Sequence, residues 1–191
     1  MLFHSQGFIL VFLPIVLVLY YRLAGRVAAR EWLIIGASAV FYAWWDPRFL
    51  PLLVGQTTAG WLIAEAFFRT GRRYVLGLGI ALNLLLLGVF KYLDFLTGVV
   101  ASVFAVPLAP VGIVVPIGIS FFTFQIISYL IDIGRGEAPR YGFRRYAVVI
   151  MLFPHLIAGP IVRHVDLAPQ LDADPRREGL AERLSQGLIL F

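Results

Sequence analysis

Long apolar stretches alternate with short charged stretches along this chain, a pattern typical of successive membrane helices, although the first stretch, at about 22 Å, is short for a ~30 Å bilayer core. We predict five spans, at residues 7–21, 32–45, 49–68, 74–104 and 113–133. The fourth is far longer than the ~20 residues that cross a bilayer core, so we expect it to tilt, kink or emerge near Lys91. The pattern predicts an all-α, polytopic integral membrane protein in which residues 1–191 form a single membrane domain.

A sixth apolar segment, residues 146–162, is interrupted by Pro154 and by Gly159-Pro160. Two breaks so close together argue against a through-running helix, because proline removes a backbone donor and clashes with the preceding turn. Irregular backbone at membrane depth lines a cavity or is buried in protein. We therefore predict a re-entrant segment in which Pro154, His155, Gly159 and Pro160 line a cavity. His155 has the chemistry of a general base, but a hydrogen-bonded structural or interfacial histidine is the favoured interpretation.

A polar stripe marks the fifth predicted span. Gln125, Ser128, Tyr129 and Asp132 are spaced i, i+3, i+4 and i+7 and share one face of a helix. A carboxylate facing lipid costs about 2.5–3.5 kcal/mol, so the stripe should face protein or water. Two interpretations stay open: hydrogen bonding between helices, and the wall of a polar cavity. Asp132 is also expected to pair with Arg135 near the end of the helix.

Composition supports the membrane assignment. The chain is 60% hydrophobic and only 14% charged, with a mean hydropathy of +0.87, whereas a soluble domain is about 45–50% apolar and 25% charged. Arginines are concentrated in loops 22–31, 69–73 and 134–145, while loops 46–48 and 105–112 hold one and none. The positive-inside rule makes the rich loops cytoplasmic and places the N-terminus outside. Because the arginines flank apolar runs, nucleic-acid binding is not expected.

Other kinds of chemistry find little support in the sequence. There is no cysteine for a disulfide or thiolate site, and no nucleophile elbow, P-loop or dinucleotide fingerprint. His164-x-Asp166 resembles a fragment of a metal site, but two mixed ligands are too few, so no metal is predicted. Residues 184–191 begin a new apolar run and stop. The expectation is that the chain is the N-terminal part of a longer protein.

Two stretches carry a family resemblance, VPIGISFFTFQIISYLID at 115–132 and MLFPHLIAGPIVRHVDLAPQL at 151–171. Together with residues 1–21 and GVFKYLDFL at 88–96, they resemble the membrane-bound O-acyltransferases. The nearest branch is the bacterial one that serves alginate O-acetylation and D-alanylation of lipoteichoic acid. The resemblance covers essentially the whole chain.

The resemblance implies the N-terminal portion of a polytopic enzyme of the bacterial inner membrane, built around a membrane-buried funnel. Such an enzyme moves an acyl group, here acetyl, from a cytoplasmic thioester donor such as acetyl-CoA to hydroxyls of an exported polysaccharide such as alginate. Periplasmic acetyl-transfer proteins and the lipid bilayer are the implied partners, and no bound cofactor is implied. The family's catalytic histidine is expected beyond Phe191, so that role is not given to His155 and this portion is expected to be inactive alone. The stripe residues become supports of the acyl-transfer cavity.

Two alternatives stay open. A transporter or channel segment would also use broken helices and a polar stripe, but it predicts an inverted repeat that the sequence does not show. An inactive, truncated scaffold is the other alternative.

Overall fold

The computed structural model describes residues 5–104, 111–157, 159, 162–175, 179, 182 and 185–187. These residues are mainly helical and contain no strand, which confirms the all-α prediction. The helices are α1 (Leu13–Arg22), α2 (Val27–Trp45), α3 (Leu50–Thr70), α4 (Arg73–Phe104), α5 (Ile119–Arg135), α6 (Phe143–Met151), α7 (Phe153–Leu156) and α8 (His164–Leu167). A π-helical turn, Phe8–Phe12, precedes α1, and 3₁₀ turns cover Pro47–Phe49 and Ala168–Asp172.

Within the described residues, α4 is the one helix that is both long and apolar enough to cross a membrane. The shorter Phe8–Arg22 stretch is also apolar. The helix α4 continues past Lys91 as one uninterrupted helix of 32 residues, so the predicted fourth span is helical along its entire length. The other predicted spans correspond to α2, α3 and α5.

The helix α5 is the central element of the fold and packs against α3, α4 and α6. Phe122, Ile126 and Leu130 on this helix are completely buried. The helix begins at Ile119, later than the predicted start at residue 113, because Gly118 adopts a left-handed backbone with φ of +74°. Pro116 two residues earlier also disfavours helix.

Gly118 also allows a close approach between two backbones. A Cβ at this position would overlap the carbonyl oxygen of Leu156, at the end of α7. The α7 helix therefore lies directly against the N-terminal end of α5, and only glycine fits between them.

Residues 143–157 and 162–164 form the two arms of a hairpin alongside α5, which we call the α6–α8 hairpin. Near its start the Tyr146 ring packs against Tyr129 in a tilted arrangement, with ring centroids 5.0 Å apart. The α6 helix then ends at Leu152, where ψ is 110°, and α7 reaches Gly118. The returning arm comes back to Tyr129, against which the His164 ring packs at a tilt with centroids 4.5 Å apart. Tyr129 lies eleven positions after Gly118, so the hairpin spans about 16 Å along α5 at 1.5 Å per residue.

A pair of glycine substitutions tests the contact at the tip of the hairpin. Gly136, which ends α5, has φ of +75° and open space where a Cβ would lie. Gly136→Ala should therefore cost only the left-handed backbone, about 1–2 kcal/mol. Gly118→Ala adds the overlap with Leu156, so we expect at least about 2 kcal/mol more. Thermal unfolding of both variants in detergent measures the difference, and equal losses would contradict the close contact.

Candidate functional site

The predicted polar stripe on α5 faces the interior of the protein. Gln125, Tyr129 and Asp132 are buried, and Ser128 is half-buried. Ser128 and Asp132 line an open cleft of about 480 Å³ near the C-terminal end of α5. Gln125 and Tyr129 are not among the residues that line this cleft. The structure therefore brings two of the four stripe residues together at one cavity.

We call this cavity the Asp132 cleft. Its apolar wall is formed by Phe124, Ile127 and Ile131, and Arg135 and Arg163 also line it. Arginine side chains bind phosphate and carboxylate groups through their fork of N–H donors. A cleft with an apolar wall and a basic rim is suited to an anion that carries an apolar chain.

Asp132 pairs with Arg163 rather than with Arg135, so the expected local ion pair was wrong. Arg163 donates from Nε to Asp132 Oδ2 at 3.2 Å and from Nη2 to Oδ1 at 2.9 Å. The same Nη2 donates to Glu137 at 2.5 Å. The hydrogen bonds to Asp132 and then Glu137 raise the pKa of Arg163 above its ordinary value. Arg163 approaches from the returning arm of the hairpin, so its planar guanidinium meets the Asp132 carboxylate with two N–H groups at once. Arg135, one turn away on the same helix as Asp132, does not provide this forked geometry.

Arg135 stays exposed on the rim of the cleft. Among the described residues it makes no ion pair. Its guanidinium is therefore available to an anionic ligand, whereas two carboxylates already compensate Arg163. Sequence reasoning missed Arg163 because 31 positions separate it from Asp132, and no local pattern signals such a pair.

His164 lies in a buried aromatic cluster behind the cleft. Its ring is 4.5 Å from Tyr129, 5.3 Å from Tyr146 and 6.3 Å from Tyr141, measured between centroids. Neither ring nitrogen has a hydrogen-bond partner within the described residues. Burial lowers the pKa of His164 to about 3, so the ring is neutral at physiological pH. The His164-x-Asp166 pattern is thus explained by stacking, and no cluster of three potential metal ligands occurs in the described part of the chain.

Tyr129 also holds the loop between α5 and α6. Its hydroxyl donates to the Pro139 carbonyl and accepts from the Tyr141 amide, both at 3.3 Å. Arg140, in the same loop, pairs with the buried Glu65 of α3, with one N–O distance of 2.9 Å. Glu65 pairs in addition with Arg69 at 3.1 Å, as its i,i+4 spacing suggests.

A second buried carboxylate, Glu31 near the start of α2, binds the beginning of α6. Arg144 and Arg145 both pair with it, the latter at 2.9 Å. Arg145 also binds Asp172 at 2.5 Å and lowers the pKa of that carboxyl. Arg30 donates to the carbonyls of Leu171 and Ala173 at 3.1 and 3.0 Å. Segments from all three arginine-rich loops therefore meet at one end of the helical bundle.

Pro154, His155 and Gly159, which the sequence predicted to line a cavity, lie at the other end of the hairpin. Pro154 and His155 belong to α7, beside the start of α5, and Gly159 has a Cβ position 3.5 Å from the His155 ring. His155 Nδ1 is buried without a partner in the described residues. Pro160 lies outside the described residues. About 21 Å of helix, at 1.5 Å per residue, separates the start of α5 from Asp132, so these residues do not join the Asp132 cleft.

Comparison with known proteins identifies relatives along the entire chain. It is 40% identical to a protein of Pseudomonas syringae pv. tomato and 38% identical to one of Pseudomonas aeruginosa, both named probable alginate O-acetylase AlgI. It is 32% identical to the peptidoglycan O-acetyltransferase of Helicobacter pylori. All of this chain is matched, against 38%, 38% and 42% of those proteins, so it spans about two fifths of their length. No family model and no solved structure matches.

Replacing Asp132 tests what holds the returning arm. Asp132→Asn removes the negative charge of the buried carboxylate that pairs with Arg163. Amide hydrogen exchange in residues 162–172 should therefore become at least about tenfold faster. Glu137→Gln is the matched control, because the Glu137 side chain is 46% exposed and the Asp132 side chain only 6%. A larger effect of Glu137→Gln than of Asp132→Asn would contradict this assignment.

The aromatic cluster gives a prediction for pH dependence. The pKa of His164 is about 3 in the folded protein, against an ordinary value of 6.5. The contribution of neutral His164 to the free energy of unfolding should be fully present above pH 6.5. It should decrease as the pH drops towards 3, by at most about 1.4 kcal/mol per pH unit, because the unfolded chain takes up the proton first.

Two substitutions separate this effect from packing. His164→Phe keeps the stacked ring and should retain stability while flattening the pH dependence between 6.5 and 4. His164→Ala leaves a cavity and should cost roughly 3 kcal/mol. Denaturant unfolding at several pH values measures both. A His164→Phe variant as unstable as His164→Ala would show that the ring nitrogens have partners.

Proposed function

Because the chain is related along its entire length to O-acetylases of the AlgI type, we propose that it takes part in O-acyl transfer to an exported polysaccharide. The acyl group is acetyl, the donor is a cytoplasmic thioester such as acetyl-CoA, and the acceptor is a hydroxyl of a polymer such as alginate. Periplasmic acetyl-transfer proteins would act on the same polymer. The observation that carries the proposal is the 38–40% identity to proteins named alginate O-acetylase, extending over all residues of this chain.

The proposed setting is the bacterial inner membrane, crossed by α4 and the four other predicted spans. Contacts within the fold support this arrangement. Buried Glu31 and Glu65 link the three arginine-rich loops at one end of the bundle, as expected if these loops face the cytoplasm together. At the other end, the Tyr42 hydroxyl near the end of α2 donates to the Ile117 carbonyl before α5, at 3.1 Å.

The α6–α8 hairpin supports a re-entrant path. It starts and ends beside Tyr129, near the proposed cytoplasmic end of α5, and turns back at Gly118. Its length along α5, about 16 Å, is roughly half of a ~30 Å hydrocarbon core. Tyr146 to Met151 are all buried, so neighbouring helices rather than lipid surround this arm.

The Asp132 cleft is the proposed contact for the donor. It lies at the end of α5 that belongs to the arginine-rich side of the bundle. Acetyl-CoA combines several phosphates with a long, less polar arm, which matches the arginine rim and the apolar wall. Asp132 orients Arg163, and Ser128 adds a hydroxyl. An acceptor or relay hydroxyl would then attack the thioester carbonyl while a general base takes the hydroxyl proton. The new ester bond would replace the C–S bond, and the donor would leave as its free thiol.

Substitution of Arg135 tests the donor contact. In the native host, Arg135→Gln should raise the KM for acetyl-CoA about tenfold in membrane assays, because one phosphate-binding guanidinium is lost. The acetyl content of the exported polysaccharide should fall while protein abundance is unchanged. Arg135→Lys keeps the charge and should recover part of the loss.

Arg72→Gln provides the control, because Arg72 is exposed on the α3–α4 loop and its guanidinium donates to Tyr74 alone among the described residues, at 3.2 Å. It should leave the KM within about twofold. Equal effects of Arg72→Gln and Arg135→Gln would contradict the cleft as the donor site. Unchanged polymer acetylation after deletion of the gene would contradict the function itself.

A further inference from the structure

A buried amide network joins three helices at a distance from the Asp132 cleft. Gln56 of α3 donates from Nε2 to Oδ1 of Asn83 on α4 at 2.7 Å and to the Thr123 hydroxyl on α5 at 2.9 Å. All three side chains are buried, and Gln56 is 8% exposed. The network lies within apolar helices, where unpaired polar groups are costly.

The hydrogen bonds fix which atom of Gln56 is left over. Asn83 Nδ2 donates to the Gly79 carbonyl at 2.8 Å, so Asn83 must present its oxygen to Gln56. Gln56 must therefore present its nitrogen, and both of its N–H groups are used by Asn83 and Thr123. Gln56 Oε1 remains buried with no donor among the described residues. Whatever satisfies this atom must donate a hydrogen bond.

A groove between α3 and α4 leads to this network. It has a volume of about 290 Å³ and is lined by Gln56, Asn83 and otherwise apolar or small residues, including Gly55 and Ala59. A Cβ on Gly55 would meet nothing within 4 Å, so this glycine leaves the groove open. At about 30 Å³ per water-sized group, the groove has room for roughly ten methylene-sized groups.

The surroundings of the groove are apolar. Leu82 lines it and is 58% exposed, and Leu78 and Leu85 on the same helix are similarly exposed. In the membrane setting proposed above, with α4 as a spanning helix, such exposed side chains face lipid. In that setting, a molecule that enters this groove comes from the bilayer.

We propose that the α3–α4 groove binds a neutral, hydroxyl-bearing lipid whose hydroxyl donates to Gln56 Oε1 and whose chain follows the apolar wall. The free atom is an acceptor, which disfavours carboxylates and phosphates because they are acceptors too. No cationic side chain lines the groove among the residues that the structure describes, so these residues offer nothing to compensate an anionic headgroup. This site is separate from the proposed donor cleft and does not depend on acyl transfer.

The experiment compares two probes that differ by one donor. Radiolabelled 1-dodecanol is bound to the chain in lipid nanodiscs and displaced by unlabelled 1-dodecanol or by dodecyl methyl ether, with empty nanodiscs as the partitioning blank. The alcohol should compete about five- to tenfold better than the ether, because the ether cannot donate. Gln56→Leu should remove this preference. Equal competition by both probes, or an unchanged preference in Gln56→Leu, would overturn the proposal and leave bound water as the partner of Gln56.

A second variant tests the groove independently of whether Gln56→Leu folds. Gly55→Leu fills the groove while leaving Gln56, Asn83 and Thr123 intact, and it should abolish saturable alcohol binding. Gly36→Leu is the matched control, since Gly36 is an exposed helical glycine of α2 with the same open space at Cβ. Retained binding in Gly55→Leu, or loss in both glycine variants, would contradict the groove as the site. Because the readout is lipid binding, its result is independent of polymer acetylation.

Discussion

The contact of the Tyr146 and His164 rings with Tyr129 is the interaction on which the rest of the structure depends. It places both arms of the α6–α8 hairpin at the same level of α5, although Tyr146 lies 17 positions and His164 35 positions further along the chain than Tyr129. Gly118 fixes the opposite limit, since its missing side chain lets α7 approach the start of α5. Between these two points the chain must turn back, and Arg163 is thereby delivered to Asp132.

Much of this fold could be predicted from the sequence because it depends on local patterns. Apolar runs located the long helices, and Pro154 correctly indicated that residues 146–162 are not one continuous helix. The start of α5 was misjudged by six residues, because an apolar pattern does not reveal the left-handed backbone at Gly118. The extent of α4 was predicted to within one residue, but hydrophobicity alone could not show that the helix continues uninterrupted through Lys91.

The candidate site was less predictable because its contacts are not local. The spacing of Gln125, Ser128, Tyr129 and Asp132 indicated a shared face, yet it could not separate the two residues at the cleft from the two in the core. The partner of Asp132 lies across the hairpin, and a nearby arginine was the wrong choice. His164 was considered as part of a metal-site fragment because Asp166 follows it by two residues. Its actual environment is aromatic and comes from three other segments. The unused acceptor of Gln56 follows only from the orientation of Asn83.

The carboxylate of Glu31 has a consequence for biogenesis. Its side chain is 1% exposed, and its partners Arg144 and Arg145 are made more than a hundred residues later in translation. A charged carboxylate is too costly to bury alone, so during synthesis the start of α2 must stay in contact with water until the first turn of α6 emerges from the ribosome. Closure of the arginine-rich end is therefore a late event, and a ribosome stalled before that point would leave this end of the nascent chain open to quality-control proteases.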